Sequence, residues 1–208
     1  MLDFSTVSMQ SVLCKSGATG SATVLGIGGT TPYIYSWGTT TGSQSTGTAI
    51  GLTAGTYFVT VTDSNGCARD TSVMVTEPVD FLQITATTTA VNCNGGTDGN
   101  IYSNVIGGTN PYSIQWGANT GSQTGLIANN LPAGNYEAIV TDNNGCLDTL
   151  NVNLSQPKNA LAIQSVITNT TCYGYSDGMA SVTGTGGTLP YQFNWGASTG
   201  YQTGQNAT

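Results

Sequence analysis

Apolar and polar residues alternate with a period of two in several stretches, and the same stretches return at a fixed interval along the chain. Tyr33, Tyr35 and Trp37 alternate with Ile34 and Ser36; Tyr112, Ile114 and Trp116 with Ser113 and Gln115; Tyr191, Phe193 and Trp195 with Gln192 and Asn194. The odd positions are large and apolar and those between are mostly polar, which predicts a strand with one buried face. Tyr57, Val59 and Val61 mark a second strand, matched by Tyr136, Ala138 and Val140. It closes at Asp63-Ser64-Asn65-Gly66 or Asp142-Asn143-Asn144-Gly145, where Asn-Gly predicts a hairpin turn. The returning strand runs through Thr71, Val73 and Val75, or Leu150, Val152 and Leu154, and ends at Glu77-Pro78 or Gln156-Pro157. Upstream, Ala22, Val24 and Gly26 correspond to Ile101, Ser103 and Val105, and a Gly-Gly turn then leads into the aromatic strand. No stretch has helical periodicity.

The interval is 79 residues. Trp37, Trp116 and Trp195 keep it, as do Cys14, Cys93 and Cys172, and Cys67 and Cys146. Gly28-Gly29, Gly107-Gly108 and Gly186-Gly187 keep it too, as do Pro32-Tyr33, Pro111-Tyr112 and Pro190-Tyr191. A spacing held without an insertion predicts nearly superimposable modules at 1–78, 79–157 and 158–208, the third incomplete. Its remaining strands are expected from a continuation of the chain; the alternative is that another molecule supplies them.

Six or seven short strands per repeat fit a β-sandwich, and two details predict an immunoglobulin-like one. Trp37 sits where the core Trp of strand C belongs, and Ala54-Gly55-Thr56-Tyr57 leads into a tyrosine corner at the start of strand F. The B–F disulfide of antibody domains is missing, because Val59 and Ala138 stand where its Cys would be. The expected core is Tyr33, Tyr35, Trp37, Tyr57, Tyr112, Trp116, Tyr136, Tyr191 and Trp195. The fold class is therefore all-β, built of tandem immunoglobulin-like modules.

Composition narrows the function. Charged residues make up 6% of the chain, the cations are Lys15, Arg69 and Lys158, and the net charge is -7. No basic stripe exists to displace counterions from phosphates, so nucleic acid is excluded as a partner, and anionic membranes are disfavoured. No apolar run approaches the roughly 18 residues of a spanning helix, so no direct membrane insertion is expected. With no His in the chain, His-based triads and His metal sites are excluded. Asp63 and Asp142 recur at a hairpin turn, where a side chain accepting backbone N–H bonds accounts for them. A Ca²⁺ site sharing Asp63, Asn65 and Asp70 is the rival reading, without EF-hand spacing. The Gly-Gly turns precede strands rather than helix N-termini and so lack a phosphate cradle. Tyr173, Tyr175 and Tyr201 occur only in the third copy, as turn packing or as an exposed patch for glycans. No cofactor, metal or catalytic residue is expected, and the chain is expected not to be an enzyme.

Gly28-Gly29-Thr30-Thr31-Pro32-Tyr33 with Trp37, Leu52-Thr53-Ala54-Gly55-Thr56-Tyr57, and Val61-Thr62-Asp63-Ser64-Asn65-Gly66-Cys67 together resemble the SprB repeat, and the order returns in the second copy. Asp98-Gly99 and Asp177-Gly178 match the entry to the second strand, whereas the first copy has Thr19-Gly20. The resemblance implies a segment of a very long surface adhesin of gliding Bacteroidota. Such proteins are exported by the type IX secretion system and held at the outer membrane. It also implies O-glycosylation at Thr149 in Asp148-Thr149-Leu150. The expected role is a stalk or adhesin segment whose partners are neighbouring repeats. Alternatives are a glycan-binding module of a secreted polysaccharide-degrading enzyme, with surface glycans as partners, or a filament subunit that pairs with other chains.

Each complete copy has one Cys before its second strand and one after the hairpin Asn-Gly. Disulfides suit a low-core exported module. Pairing within a repeat, Cys14 with Cys67 or Cys93 with Cys146, is the simplest connectivity, and free thiols are a third option. In an immunoglobulin-like module, however, the A–B turn and the F–G turn lie at opposite ends. A six-residue strand spans roughly 20 Å, while bridged Cα atoms lie within about 7 Å. Through a short linker such as Pro78-Val79-Asp80, the A–B turn of one copy faces the F–G turn of the next. The expected bridge is Cys14 to Cys146, with Cys93 and Cys172 pairing to later copies.

Overall fold

The computed structural model describes residues 1–208, the side chains of Thr6 and Val7 excepted. The chain divides into two compact units. One comprises Met1–Thr85, Asn104–Ile114 and Ile139–Leu150; the other comprises Ala86–Ser103, Gln115–Ala138 and Asn151–Thr208.

In the first copy the strands are β1 (Asp3–Gln10), β2 (Gly20–Ile27), β3 (Ile34–Trp37), β4 (Thr48–Leu52), β5 (Gly55–Thr62) and β6 (Ala68–Val75). They form two sheets of three strands, ordered β1-β2-β4 and β3-β5-β6. Lettered in chain order with strand D missing, these are the A-B-E and C-F-G sheets of an immunoglobulin-like sandwich. All their pairings are antiparallel. Period-two alternation determines which face is buried. Ala22 and Val24 of β2, with Ala49 and Leu52 of β4, belong to one core cluster with Trp37, Tyr57, Val59, Val61, Val73 and Val75 of the second sheet.

The second copy repeats this order, with β7 (Gln83–Thr89), β8 (Gly99–Ile106), β9 (Ser113–Trp116), β10 (Ile127–Leu131), β11 (Gly134–Thr141) and β12 (Leu147–Leu154) in sheets β10-β8-β7 and β12-β11-β9. Val91, Ile101, Trp116, Ala128, Leu131, Tyr136, Ala138, Val140 and Leu154 are buried at the positions equivalent to the first copy's core. The third copy holds β13 (Ala162–Thr168), β14 (Met179–Thr185) and β15 (Asn206–Ala207), paired in that order.

Two edge elements escaped the sequence reading. β1 pairs with β2 through seven residue pairs, with a register shift between Thr6 and Ser8, but its polar and apolar residues do not alternate cleanly. β4 is five residues long and contains Gly51. Strand D is replaced by a short 3₁₀ turn, Thr39–Thr41, and by one side chain. Gln44 Nε2 donates to the carbonyls of Thr41 and Ile50 at 2.9 Å each, and its Oε1 accepts from Ile50 N–H at 3.0 Å. Gln123 makes the same bonds to Thr120 and Asn129, and Gln202 pairs reciprocally with Thr208. An amide carries both a donor and an acceptor and so does the work of a strand's peptide group.

Glycine is needed at the first residue of β2 and of β8. A Cβ on Gly20 would lie 2.6 Å from Val75 Cγ1, and one on Gly99 2.5 Å from Leu154 Cδ2. At the Gly-Gly turn, Gly28 and Gly29 have φ of 65° and 61°, a region other residues reach only with strain.

Candidate functional site: the junction between repeats

The F–G turn is built around a buried carboxylate. Asp63 Oδ1 accepts from the backbone N–H of Asn65 (3.0 Å) and Cys67 (2.9 Å), and Oδ2 accepts from Thr30 (3.1 Å). These bonds, led by that of Cys67, hold its carboxyl below the ordinary value of 3.8. Asp142 likewise accepts from the backbone N–H groups of Asn144, Cys146 and Thr109. The Asn amide joins this frame to the Gly-Gly turn: Asn65 Nδ2 donates to Thr30 Oγ1 at 2.9 Å, and Asn144 Nδ2 to Thr109 Oγ1 at 3.0 Å. The result is a rigid loop that presents a cysteine.

The A–B turn is a second rigid loop. Gly17 N–H donates to the Cys14 carbonyl and Leu13 N–H to Thr19 Oγ1, both at 2.9 Å. The turn is tied to the linker that follows β6. Ser16 N–H donates to Glu77 Oε2 at 2.6 Å, Lys15 Nζ donates to the Val79 carbonyl, and the Lys15 ammonium lies 5.4 Å from the centroid of the Phe81 ring. The second copy keeps the design with other residues. Gly95 N–H donates to Gln156 Oε1 at 2.8 Å, and Asn94 Nδ2 donates to the Pro157 carbonyl at 2.9 Å. No sequence motif announced this clamp, although Glu77 and Gln156 stand 79 residues apart.

The two loops meet at one point. Cys14 of the first copy is bonded to Cys146 of the second, with Cα atoms 5.7 Å apart and a sequence separation of 132. Beside the bridge, Asn144 Nδ2 donates to the Leu13 carbonyl at 3.0 Å. A cleft of about 150 Å³ lies against the bridge, lined by Lys15, Pro78, Phe81 and Asp142 among others. It is smaller than the roughly 300 Å³ at which sites for organic ligands begin. Its parts are a covalent cross-link, linker carbonyls held by side chains, and saturated carboxylates, which suits it to mechanical connection.

The other expected residues are placed as follows. Cys67, Cys93 and Cys172 are exposed thiols. Trp37, Tyr57, Trp116 and Tyr136 are buried, and the two Trp indoles donate to the carbonyls of Thr46 and Gly125. The Tyr57 hydroxyl donates to the Thr53 carbonyl (3.0 Å) and that of Tyr136 to Pro132 (2.7 Å), the bond that defines a tyrosine corner. Burial raises the Tyr136 phenol above its usual value of 10.0.

Tyr33, Tyr35, Tyr112 and Tyr191 are half-buried rather than enclosed in the core. Their hydroxyls explain it. Tyr33, Tyr112 and Tyr191 reach the carbonyls of Gly28, Gly107 and Gly186, and Tyr35 accepts from Gly26 N–H. Each ring keeps its polar tip on the backbone. Trp195 is half-buried because the third copy has no counterpart of β5 and β6 here to cover it. Asp63, Asn65 and Asp70 do not converge: Asp70 accepts from Thr60 Oγ1 at 2.7 Å, two pairs along the ladder from the turn. Among the described residues no group of three or more His, Cys, Asp or Glu is placed to hold a metal. Tyr173, Tyr175 and Tyr201 are exposed. Thr149 is exposed on β12, beside Asp148, which accepts from Ile84 N–H.

Residues 164–200 match the family model of the SprB repeat. The match supports membership in the SprB-repeat family. The match lies in the third copy, and the 79-residue spacing carries its motifs into the first two. This match supports a structural or adhesive segment of a surface protein. No curated protein matches the chain. Among solved structures it is similar to the amphioxus IgVJ-C2 molecule (15% identity, 62% of this chain and 91% of that one, TM-score 0.28). It is also similar to domains 4–9 of surface layer protein SbsC (13%, 88% and 36%, TM-score 0.33). A third is a tetra-tandem repeat from the extending region of a large adhesion protein (16%, 93% and 58%, TM-score 0.27). The assignment of the modules as immunoglobulin-like rests on strand order and the tyrosine corner. Among the described residues no helix is long and apolar enough to cross a membrane.

Proposed function

We propose that the chain is a stalk segment of a long, secreted cell-surface adhesin, in which SprB modules at 1–78, 79–157 and 158 onward are stapled to their neighbours. The observation that carries this reading is the bridge from the A–B turn of one copy to the F–G turn of the next. Tension along the array then meets two covalent connections at the junction, the linker and the disulfide, and the side-chain clamp on Val79 limits hinge motion between them. A module in such an array needs no strong binding site, because reach and avidity come from repetition. Export by the type IX route, attachment at the outer membrane, a part in gliding and O-glycosylation at Thr149 extend the same reading.

Small-angle scattering of the chain before and after reduction tests it. The oxidised chain is expected to be elongated, and reduction is expected to broaden its distribution of interatomic distances. A compact particle, or identical curves in the two states, would overturn the stalk reading.

A second reading, glycan binding, is favoured by aromatic exposure. Tyr173, Tyr175 and Tyr201 face solvent, and Phe58, 66% exposed, borders a cleft of about 340 Å³ with Ser36, Thr60 and Asp70. An aromatic face beside hydroxyl and carboxylate groups is the chemistry that recognises a sugar ring. A glycan array without hits removes this reading.

A further inference from the structure

We infer that the F–G turn of the first copy, Asp63 to Cys67 with Thr30, is a docking site for the cysteine-bearing A–B turn of a second copy of the chain. The inference rests on the stapled-stalk reading and extends the observed junction to a surface that is open here. The same turn occurs twice in the molecule and is engaged once. Asp63 and Asp142 organise the two loops through matching bonds, and Asn65 and Asn144 both donate to the Thr of the preceding turn. The copies differ in what covers them. In the second, Asn144 Nδ2 also donates to the Leu13 carbonyl, Cys146 is bonded to Cys14, and both residues are half-buried. In the first, Asn65 and Cys67 are exposed, and among the described residues the Asn65 amide has no second acceptor.

The occupant is defined by the engaged copy: a turn that presents a carbonyl to the Asn amide and, at the next residue, a cysteine to the thiol. The chain carries two more such turns. Gly96 N–H donates to the Cys93 carbonyl at 2.9 Å and Tyr175 N–H to the Cys172 carbonyl at 3.1 Å, as Gly17 does to Cys14, and both cysteines are exposed. The contact joins unlike surfaces, so it propagates from chain to chain instead of closing as a two-fold dimer. Covalent closure requires a disulfide oxidant, for instance oxidised glutathione. One thiolate displaces a glutathione thiol and forms a mixed disulfide; the second thiolate then displaces the other glutathione. Two protein thiols lose two electrons and two protons, which appear in two molecules of reduced glutathione.

The test incubates the purified chain in a glutathione redox buffer and maps the cross-linked peptides by mass spectrometry. Peptides joining Cys67 of one chain to Cys93 or Cys172 of another are expected to exceed Cys67–Cys67 peptides, and Cys67→Ser is expected to abolish the covalent oligomers that run through this turn. Asn65→Ala is expected to slow that linkage about fivefold, the worth of one hydrogen bond. It is expected to leave alkylation of Cys67 by iodoacetamide unchanged, which separates docking from thiol reactivity. A statistical mixture of pairs, a monomer with glutathione on Cys67, or equal slowing of linkage and alkylation would overturn the inference. None of these outcomes bears on the scattering test of the stalk.

Discussion

Replacing both bridge cysteines with serine, Cys14→Ser with Cys146→Ser, removes the staple without leaving a thiol to exchange with Cys67, Cys93 or Cys172. The bridge spans 132 residues, and the chain-entropy relation converts a loop of that length into about 5 kcal/mol at 25 °C. If the first copy unfolds while the second stays folded, the flexible part of the loop is roughly half as long. The logarithm then lowers the figure only to about 4 kcal/mol. The Asn144 bond to Leu13 adds about 1 kcal/mol where the loops separate. The expected loss is therefore about 4 to 6 kcal/mol, a large share of what a small module possesses. Urea unfolding followed by fluorescence of the buried indoles reads it, with intact mass confirming the oxidation state of the parent chain. The slope of the transition is expected to steepen, because the unfolded chain without its cross-link exposes more surface. A variant within about 1 kcal/mol of the parent, with unchanged slope, would refute the idea that the bridge constrains the unfolded ensemble.

Tyr136→Phe removes the hydroxyl that meets Pro132 and leaves that carbonyl without its partner, so a loss of about 1 to 2 kcal/mol is expected in thermal or urea unfolding. Gly99→Ala places a methyl 2.5 Å from Leu154 Cδ2 and 2.9 Å from the Leu131 carbonyl, and is expected to cost about 1 to 3 kcal/mol by the same assays. Acid is expected to weaken the modules through Asp63, whose folded value is lowered. Its contribution is complete above the ordinary value of 3.8 and disappears as pH falls through the lower folded value. Urea midpoints between about pH 2 and 5 should therefore fall with pH in the parent and fall less in Asp63→Asn; parallel curves would show that the turn carboxylate is not responsible.

The sandwich was legible because alternation is a direct imprint of burial. Tyr57, Val59 and Val61, or Val73 and Val75, each place every second residue on one face, and the 79-residue period shows it more than once. The tyrosine corner was legible for a similar reason: Ala-Gly-Thr-Tyr is local in sequence, and so is the bond it makes, four residues upstream. β1 and β4 were not legible, since an edge strand buries too little to keep a strict pattern. Of the aromatic row, Trp37 is buried and Tyr33 and Tyr35 are half-buried. Its degree of burial depended on hydroxyl partners at Gly28 and Gly26, and alternation carries no information about those.

Sequence alone determined the repeat, the strand-forming stretches, the turn chemistry at Asp63 and Asp142, and the absence of imidazole or a basic surface, because each is a property of residue types at short range. It narrowed the cysteine pairing but could not complete it, because a disulfide is a condition on distance between residues remote in sequence. Only the tertiary structure brought Cys14 within 5.7 Å of Cys146, set Lys15 and Asn94 on the linker carbonyls, and gave Gln44 the place of a missing strand. These contacts join segments whose own patterns are silent about one another, and their geometry exists only once both sheets have packed.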